Sequence, residues 1–260
     1  NFEISKKTAL LTGIIILVVY VGFSLPELAI DEATQYDDYG ILKNALEIWP
    51  STDSDDMYVN EGNTRYVRML LFDASIVIFQ NIKILPFVAS ILLVVVTFFL
   101  TYQITQKRFA GIISMMILLQ SHTFLHFDTI AVYENFWVLF YVVSLYMINR
   151  KWQYSSISYL LSIFSKAFIA VFFLSSLYYI CRATISTRKK LSTLVSYAAS
   201  LIIILLVFSF GESIYFDVIN ISPSEFLLAF NALGYALRYD LIIVLSLLPL
   251  TLGLFFKFRK

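Results

Sequence analysis

Two acidic residues, Asp31 and Glu32, stand side by side in "LPELAIDEATQYDDYG" (residues 25–40), directly behind the first apolar run of the chain. A carboxylate in such a place can orient an attacking nucleophile or take its proton. Cations placed nearby could stabilise negative charge that develops in such a reaction. Lys166 is the first candidate, because it interrupts the apolar stretch 153–181 between "LLSIFS" and "AFIAVFF". An ionisable residue inside such a stretch is a functional candidate by default. Arg65 and Arg68 are three apart and share one face if their segment is helical. Arg238, just before the last apolar run, is a further cationic candidate. Tyr36 lies four residues past Glu32, and Glu134, with Asp128 nearby, is a second acidic candidate. His122 and His126 have the i, i+4 spacing that can chelate a metal, with Asp128 following, but no known metal motif flanks them.

Each of these residues also has an ordinary reading. Asp31 and Glu32 are then solvated loop acids, Tyr36 an interfacial tyrosine, and Lys166 a lysine snorkelling at a helix break. Arg65, Arg68 and Arg238 are surface charges, and Glu134 is a carboxylate that favours a helix start through the dipole.

The elements that must position these groups follow from composition. The chain has 260 residues, 59% hydrophobic and 14% charged, with a mean hydropathy of +0.79. A soluble domain of that composition would expose too much apolar surface, so a polytopic, all-α membrane protein is predicted. Cys181 is the only cysteine, which excludes an internal disulfide and any Cys-rich metal site. Apolar runs at 8–25, 85–105, 109–127, 135–148, 191–210 and 240–256 are compared with the roughly 20 residues a span requires. No small-x-small cleavage site follows the first run, so it is predicted to remain as a span. One domain, 1–260, without repeats, is expected.

Charge sets the orientation. With the amino terminus cytoplasmic, the basic clusters 6–7, 107–108, 150–151, 182–190 and 257–260 all fall inside, while Glu3 is the only acid there. That distribution obeys the positive-inside rule and predicts both termini in the cytoplasm. It holds only if 69–82 does not cross, so that segment is predicted as an amphipathic helix on the outer surface. It also requires 153–181 to cross an even number of times, as two short helices meeting at Lys166. About eight membrane helices result. The first extracytoplasmic loop is 25–84 and the second exterior segment 211–239. Within the first loop, Tyr39, Leu42, Leu46 and Trp49 have helical spacing and predict a helix lying on the bilayer.

An apolar helix, Asp-Glu with a nearby Tyr, and a long exterior loop together resemble the GT-C superfamily of membrane glycosyltransferases. The likeness is to the protein O-mannosyltransferase and aminoarabinose transferase group, and the chain has about half the length common there. "NTRYVRMLLFDASIVIF", "HFDTIAVYENFWVLFYVVSLYMI" and "LLSIFSKAFIAVFF" follow in the family's order, while Lys83 stands where an Arg is more usual. The resemblance implies transfer of a sugar from a polyprenyl-phosphate carrier to an acceptor at the outer face of a cell or endoplasmic-reticulum membrane. Asp31 would be the catalytic carboxylate and Glu32 would orient a partner or bind acceptor. Lys166, Arg65, Arg68, Tyr36 and Arg238 would bind the carrier phosphate or frame the site. The expected partners are membrane lipid and the lipid-linked sugar donor, with no nucleic acid; a divalent metal stays open. Two alternatives belong to other classes: a non-catalytic membrane subunit of a larger complex, and a transporter component. Ionisable residues gathered at one face, instead of along a path, argue against the transporter.

Overall fold

The computed structural model describes residues 3–31, 38–49, 66–132 and 134–210, with the isolated positions 227, 231 and 240. Among these residues the fold is all-α. Ten helices are bounded: α1 (Lys6–Ser24), α2 (Asp38–Ile48), α3 (Tyr66–Phe79), α4 (Ile84–Thr105), α5 (Arg108–Leu119), α6 (His122–Phe127), α7 (Phe136–Arg150), α8 (Trp152–Ser165), α9 (Phe173–Arg182) and α10 (Thr187–Phe210). Short 3-10 segments extend α1 (Leu25–Ala29) and link α8 to α9 (Ala167–Phe172).

Local chemistry sets these boundaries. The Ser5 hydroxyl accepts the Thr8 N–H at 3.1 Å and caps α1, and Pro26 opens the 3-10 turn at its far end. Helix α4 stops at Gln106, which adopts the left-handed conformation of a helix terminus (φ 57°). The run 109–127, expected as one span, is divided. Gln120 and Ser121 end α5, and the Ser121 hydroxyl accepts the Phe124 N–H to start α6. The break expected at Lys166 is present, because Lys166 is extended (φ −156°, ψ 112°) between α8 and the 3-10 segment.

Successive long helices run up and down the bundle. Arg108, at the start of α5, pairs with Glu3 ahead of α1 at 3.1 Å, so both helices start at one end. Helices α4 and α7 run parallel, since Asn135 donates to Ser90 at 3.0 Å near their starts and Phe99 meets Tyr146 further along. Asn149 accepts the Thr184 N–H at 3.1 Å, which sets the turn after α9 beside the end of α7. The basic clusters at 6–7, 107–108, 150–151 and 182–190 therefore share one end of the bundle.

Among the described residues two helices are long and apolar enough to cross a membrane by length and composition: α1 with its extension (Lys6–Ala29) and α4. Helices α5 and α7 and the segment Ile169–Arg182 are apolar but shorter. The 12 residues of α5 reach about 18 Å at 1.5 Å per residue, short of a hydrocarbon core about 30 Å thick. Among the described residues, length and composition together support two spans of the eight predicted; the run 240–256 lies outside the described residues apart from Asp240. Helix α3, 14 residues, is also too short to cross, and it exposes Asp73 while burying Arg68, Met69, Phe72 and Ser75.

Helix α2 departs from expectation. Its Leu42 is buried, and Tyr39, Leu46 and Trp49 pack against the same apolar cluster as Met69 and Phe72. The apolar face predicted for the bilayer is covered by protein instead.

Apolar side chains lie outside as well as inside the bundle. Leu10, Leu11, Val18 and Phe23 of α1 are exposed, Phe23 by 80%, while several serines are buried among the apolar core. Helix α8 buries Ser155, Ser158 and Ser162, whose hydroxyls donate to the carbonyls of Ser144, Phe140 and Trp137 on antiparallel α7 at 2.8, 2.7 and 2.6 Å. Small side chains let the two backbones approach closely. Ser162→Leu is expected to separate the helices and cost about 1–3 kcal/mol by overpacking, whereas Ser162→Ala removes one hydrogen bond worth roughly 0.6 kcal/mol. Thermal unfolding of the purified protein compares the two; equal losses would contradict a packing role.

Candidate functional site

The end of the bundle opposite the basic clusters is anchored around the exit of α1. Lys83, buried despite its charge, donates from Nζ to the carbonyls of Glu27 (3.1 Å) and Ile30 (2.7 Å). Asn81 adds a bond from Nδ2 to the Leu28 carbonyl at 3.4 Å. These donors fix the 3-10 turn and hold the residue immediately before Asp31. Asp31 itself is exposed at this anchored exit. Lys83 is thus a positioning residue that the sequence offered only as a substitute for arginine.

Behind the turn lies a buried polar layer. Asp128 is fully buried, and its Oδ2 accepts the Ser24 hydroxyl at 2.9 Å. Its carbonyl accepts the Ser90 hydroxyl at 2.9 Å, and Thr129 donates to Glu27 Oε2 at 2.9 Å. Burial pushes the Asp128 carboxyl above the usual carboxylate range, although the Tyr20 and Ser24 hydroxyls favour its ionised form. The weak metal candidate formed by His122, His126 and Asp128 is not assembled. The two histidines are exposed with their rings stacked at 5.7 Å, while Asp128 faces the end of α1. Among the described residues no group of three or more His, Cys, Asp or Glu is placed to hold a metal ion.

The predicted cations meet the head of α7. Arg68 is buried; its Nε lies 3.1 Å from Glu134 Oε2, its Nη2 donates to the Val132 carbonyl at 2.8 Å, and its guanidinium covers Phe72. Glu134 is buried as well, so its carboxylate serves an ion pair where a solvent-facing helix cap was expected. One turn later, the Trp137 ring carries Lys166 Nζ at 5.4 Å from its centroid, a cation–π geometry. Arg68 from α3 and Lys166 from the helix break thus address the same first turn of α7. Lys166 is partly exposed and Arg68 is enclosed. Of the two, Lys166 is the one an external anion can reach.

Glu32, Tyr36, Arg65 and Arg238 lie outside the described residues, as does most of 211–239. One contact had no sequence signal. Asp240 accepts the Ser121 hydroxyl at 2.9 Å and the His122 N–H at 2.7 Å, fixing the start of α6 from more than a hundred residues away.

What the arrangement offers chemically is an exposed carboxylate and a partly exposed ammonium at one end of a helical bundle, the ammonium held against an aromatic face. No family model matches this chain, and neither the curated proteins nor the solved structures yield a match.

Proposed function

We propose that this chain is an integral membrane glycosyltransferase. It moves a sugar from a polyprenyl-phosphate carrier to an acceptor at the outer membrane face, with about eight membrane-embedded helices and both termini cytoplasmic. Membrane embedding is supported by the exposed apolar faces of α1 and α4. Contiguous apolar surface on that scale marks contact with lipid or protein. The observation that carries the transferase reading is that Asp31, Arg68, Glu134 and Lys166 gather at the end of the bundle away from the basic clusters. In this reading Asp31 acts on the acceptor nucleophile. Lys166 holds the carrier phosphate as it leaves, and Arg68 with Glu134 fixes the head of α7 so that Lys166 is presented correctly. Glu32, Tyr36, Arg65 and Arg238 complete the donor and acceptor contacts from the loops.

A second reading has a specific observation in its favour. Arg68 is internally paired and Asp31 is exposed, as they would be in a non-catalytic membrane subunit that shares the architecture.

Transfer of a radiolabelled sugar from a synthetic polyprenyl-phosphate donor, followed in proteoliposomes, separates the two. Lys166→Met is expected to raise the donor concentration needed for half-maximal rate by about ten- to a hundredfold, as loss of a charged hydrogen bond implies. A wild-type protein with no transfer to any acceptor supplied by the native membrane favours the subunit.

A further inference from the structure

We propose that the groove between α1, α4 and α5 binds an anionic phospholipid, one acyl chain in the groove and its phosphate at the basic end of the bundle. The groove has a volume of about 490 Å³, within the range of small-molecule sites. Leu10, Gly13, Leu17 and Phe98 belong to its apolar wall, and Lys6 and Arg108 line it at the end where α1 and α5 begin. From Lys6 to Leu17 along α1 the groove runs about 16 Å at 1.5 Å per residue.

That one-ended polarity selects the ligand. A free anion has no use for the apolar length, and a neutral hydrocarbon has none for the cations. A phospholipid with net negative charge uses both, and basic pockets between membrane helices on the cytoplasmic side recognise such headgroups. The mouth is built to hold charge. Arg108 Nη1 lies 3.1 Å from Glu3 Oε1 and donates to the Ile4 carbonyl at 3.3 Å, while its guanidinium sits over the Tyr102 ring. Among the described residues these contacts engage Nη1, which leaves the rest of the fork for a phosphate. Lys6 also lines this mouth and is exposed, and Lys7 and Lys107 adjoin the two in sequence, so the basic charge at this end exceeds the one carboxylate of Glu3.

Two glycines shape the wall. Gly13 leaves space along α1, where an added Cβ would meet only Ile112 at 3.8 Å. Gly111 lets the Phe98 ring lie flat against α5, since a Cβ there would come within 2.6 Å of it. The site lies at the opposite end of the bundle from Asp31 and Lys166. It rests on α1 and α4 lying in a bilayer, not on transferase activity.

Carbonate extraction of native membranes comes first; release of the wild-type chain into the soluble fraction would overturn the bilayer placement and this site with it. Native mass spectrometry of the detergent-purified full chain then follows, with dioleoylphosphatidylglycerol, dioleoylphosphatidylcholine or inorganic phosphate added separately. Wild-type protein is expected to keep one phosphatidylglycerol at least tenfold more than phosphatidylcholine, and to keep no phosphate. Lys6→Gln, at an exposed side chain, should reduce that preference several-fold, and Lys6→Gln/Arg108→Gln should abolish it. Gly13→Leu should fill the groove and lower retention of both lipids. Equal retention of the two lipids by the wild type, binding of phosphate alone, or unchanged phosphatidylglycerol retention in Lys6→Gln and Gly13→Leu would overturn the site. Loss of sugar transfer with lipid retention intact would instead count against the transferase reading.

Discussion

Asp31→Asn is expected to lower sugar transfer by about 10²–10⁴-fold, the range for removing a positioned general base, while leaving the fold unchanged. The substitution keeps the size of the side chain and deletes only its charge. The side chain is exposed. The turn that carries it is held through the Glu27 and Ile30 carbonyls by Lys83. The rate at saturating donor should therefore fall while the donor concentration for half-maximal rate stays close to that of the wild type, the opposite of Lys166→Met. If Asp31→Asn retains wild-type transfer, the carboxylate is a loop acid and catalysis must be sought elsewhere.

Arg68→Met is expected to destabilise the protein by about 3–5 kcal/mol, the cost of removing one partner of a buried ion pair. Glu134 is 4% exposed and would stay buried with its Arg68 partner gone. The Val132 carbonyl would lose its donor as well. Replacing both charges, as Arg68→Met/Glu134→Gln, should recover much of the loss, because no net charge is then buried. The unfolding midpoint of the two variants in detergent measures this. A single variant as stable as the wild type would mean that the pair contributes nothing to the head of α7. Loss of binding with full stability would instead return Arg68 to the role of a phosphate ligand.

Much of the skeleton was legible because it follows from local patterns. The first apolar run ends at Pro26, the break falls at Lys166, and the segment around Asp73 forms a separate short helix, as periodicity and charge parity implied. The gathering of basic clusters at one end was legible for the same reason, since a long run of turns must alternate sides. The division of the run 109–127 was not, because hydropathy measures apolar length in sequence and does not register that Gln120 and Ser121 cut it in two. Nor was the interior. Serines at 155, 158 and 162 look like ordinary polar residues until α7 supplies carbonyls at matching heights. Arg68 and Glu134 are 66 residues apart, and Asp240 lies more than a hundred from Ser121. Spacing within one helix cannot predict pairings of that range. Trp49 and its neighbours on α2 were assigned to lipid because an amphipathic pattern identifies an apolar face, but not what covers it.

Mass spectrometry of lipid that co-purifies with the wild-type chain and with Lys166→Met tests the transferase reading most directly. A polyprenyl-phosphate sugar retained by the wild type and depleted at least tenfold in Lys166→Met is the expected result. Bulk phospholipid alone in both preparations, with no polyprenyl carrier in either, would contradict it.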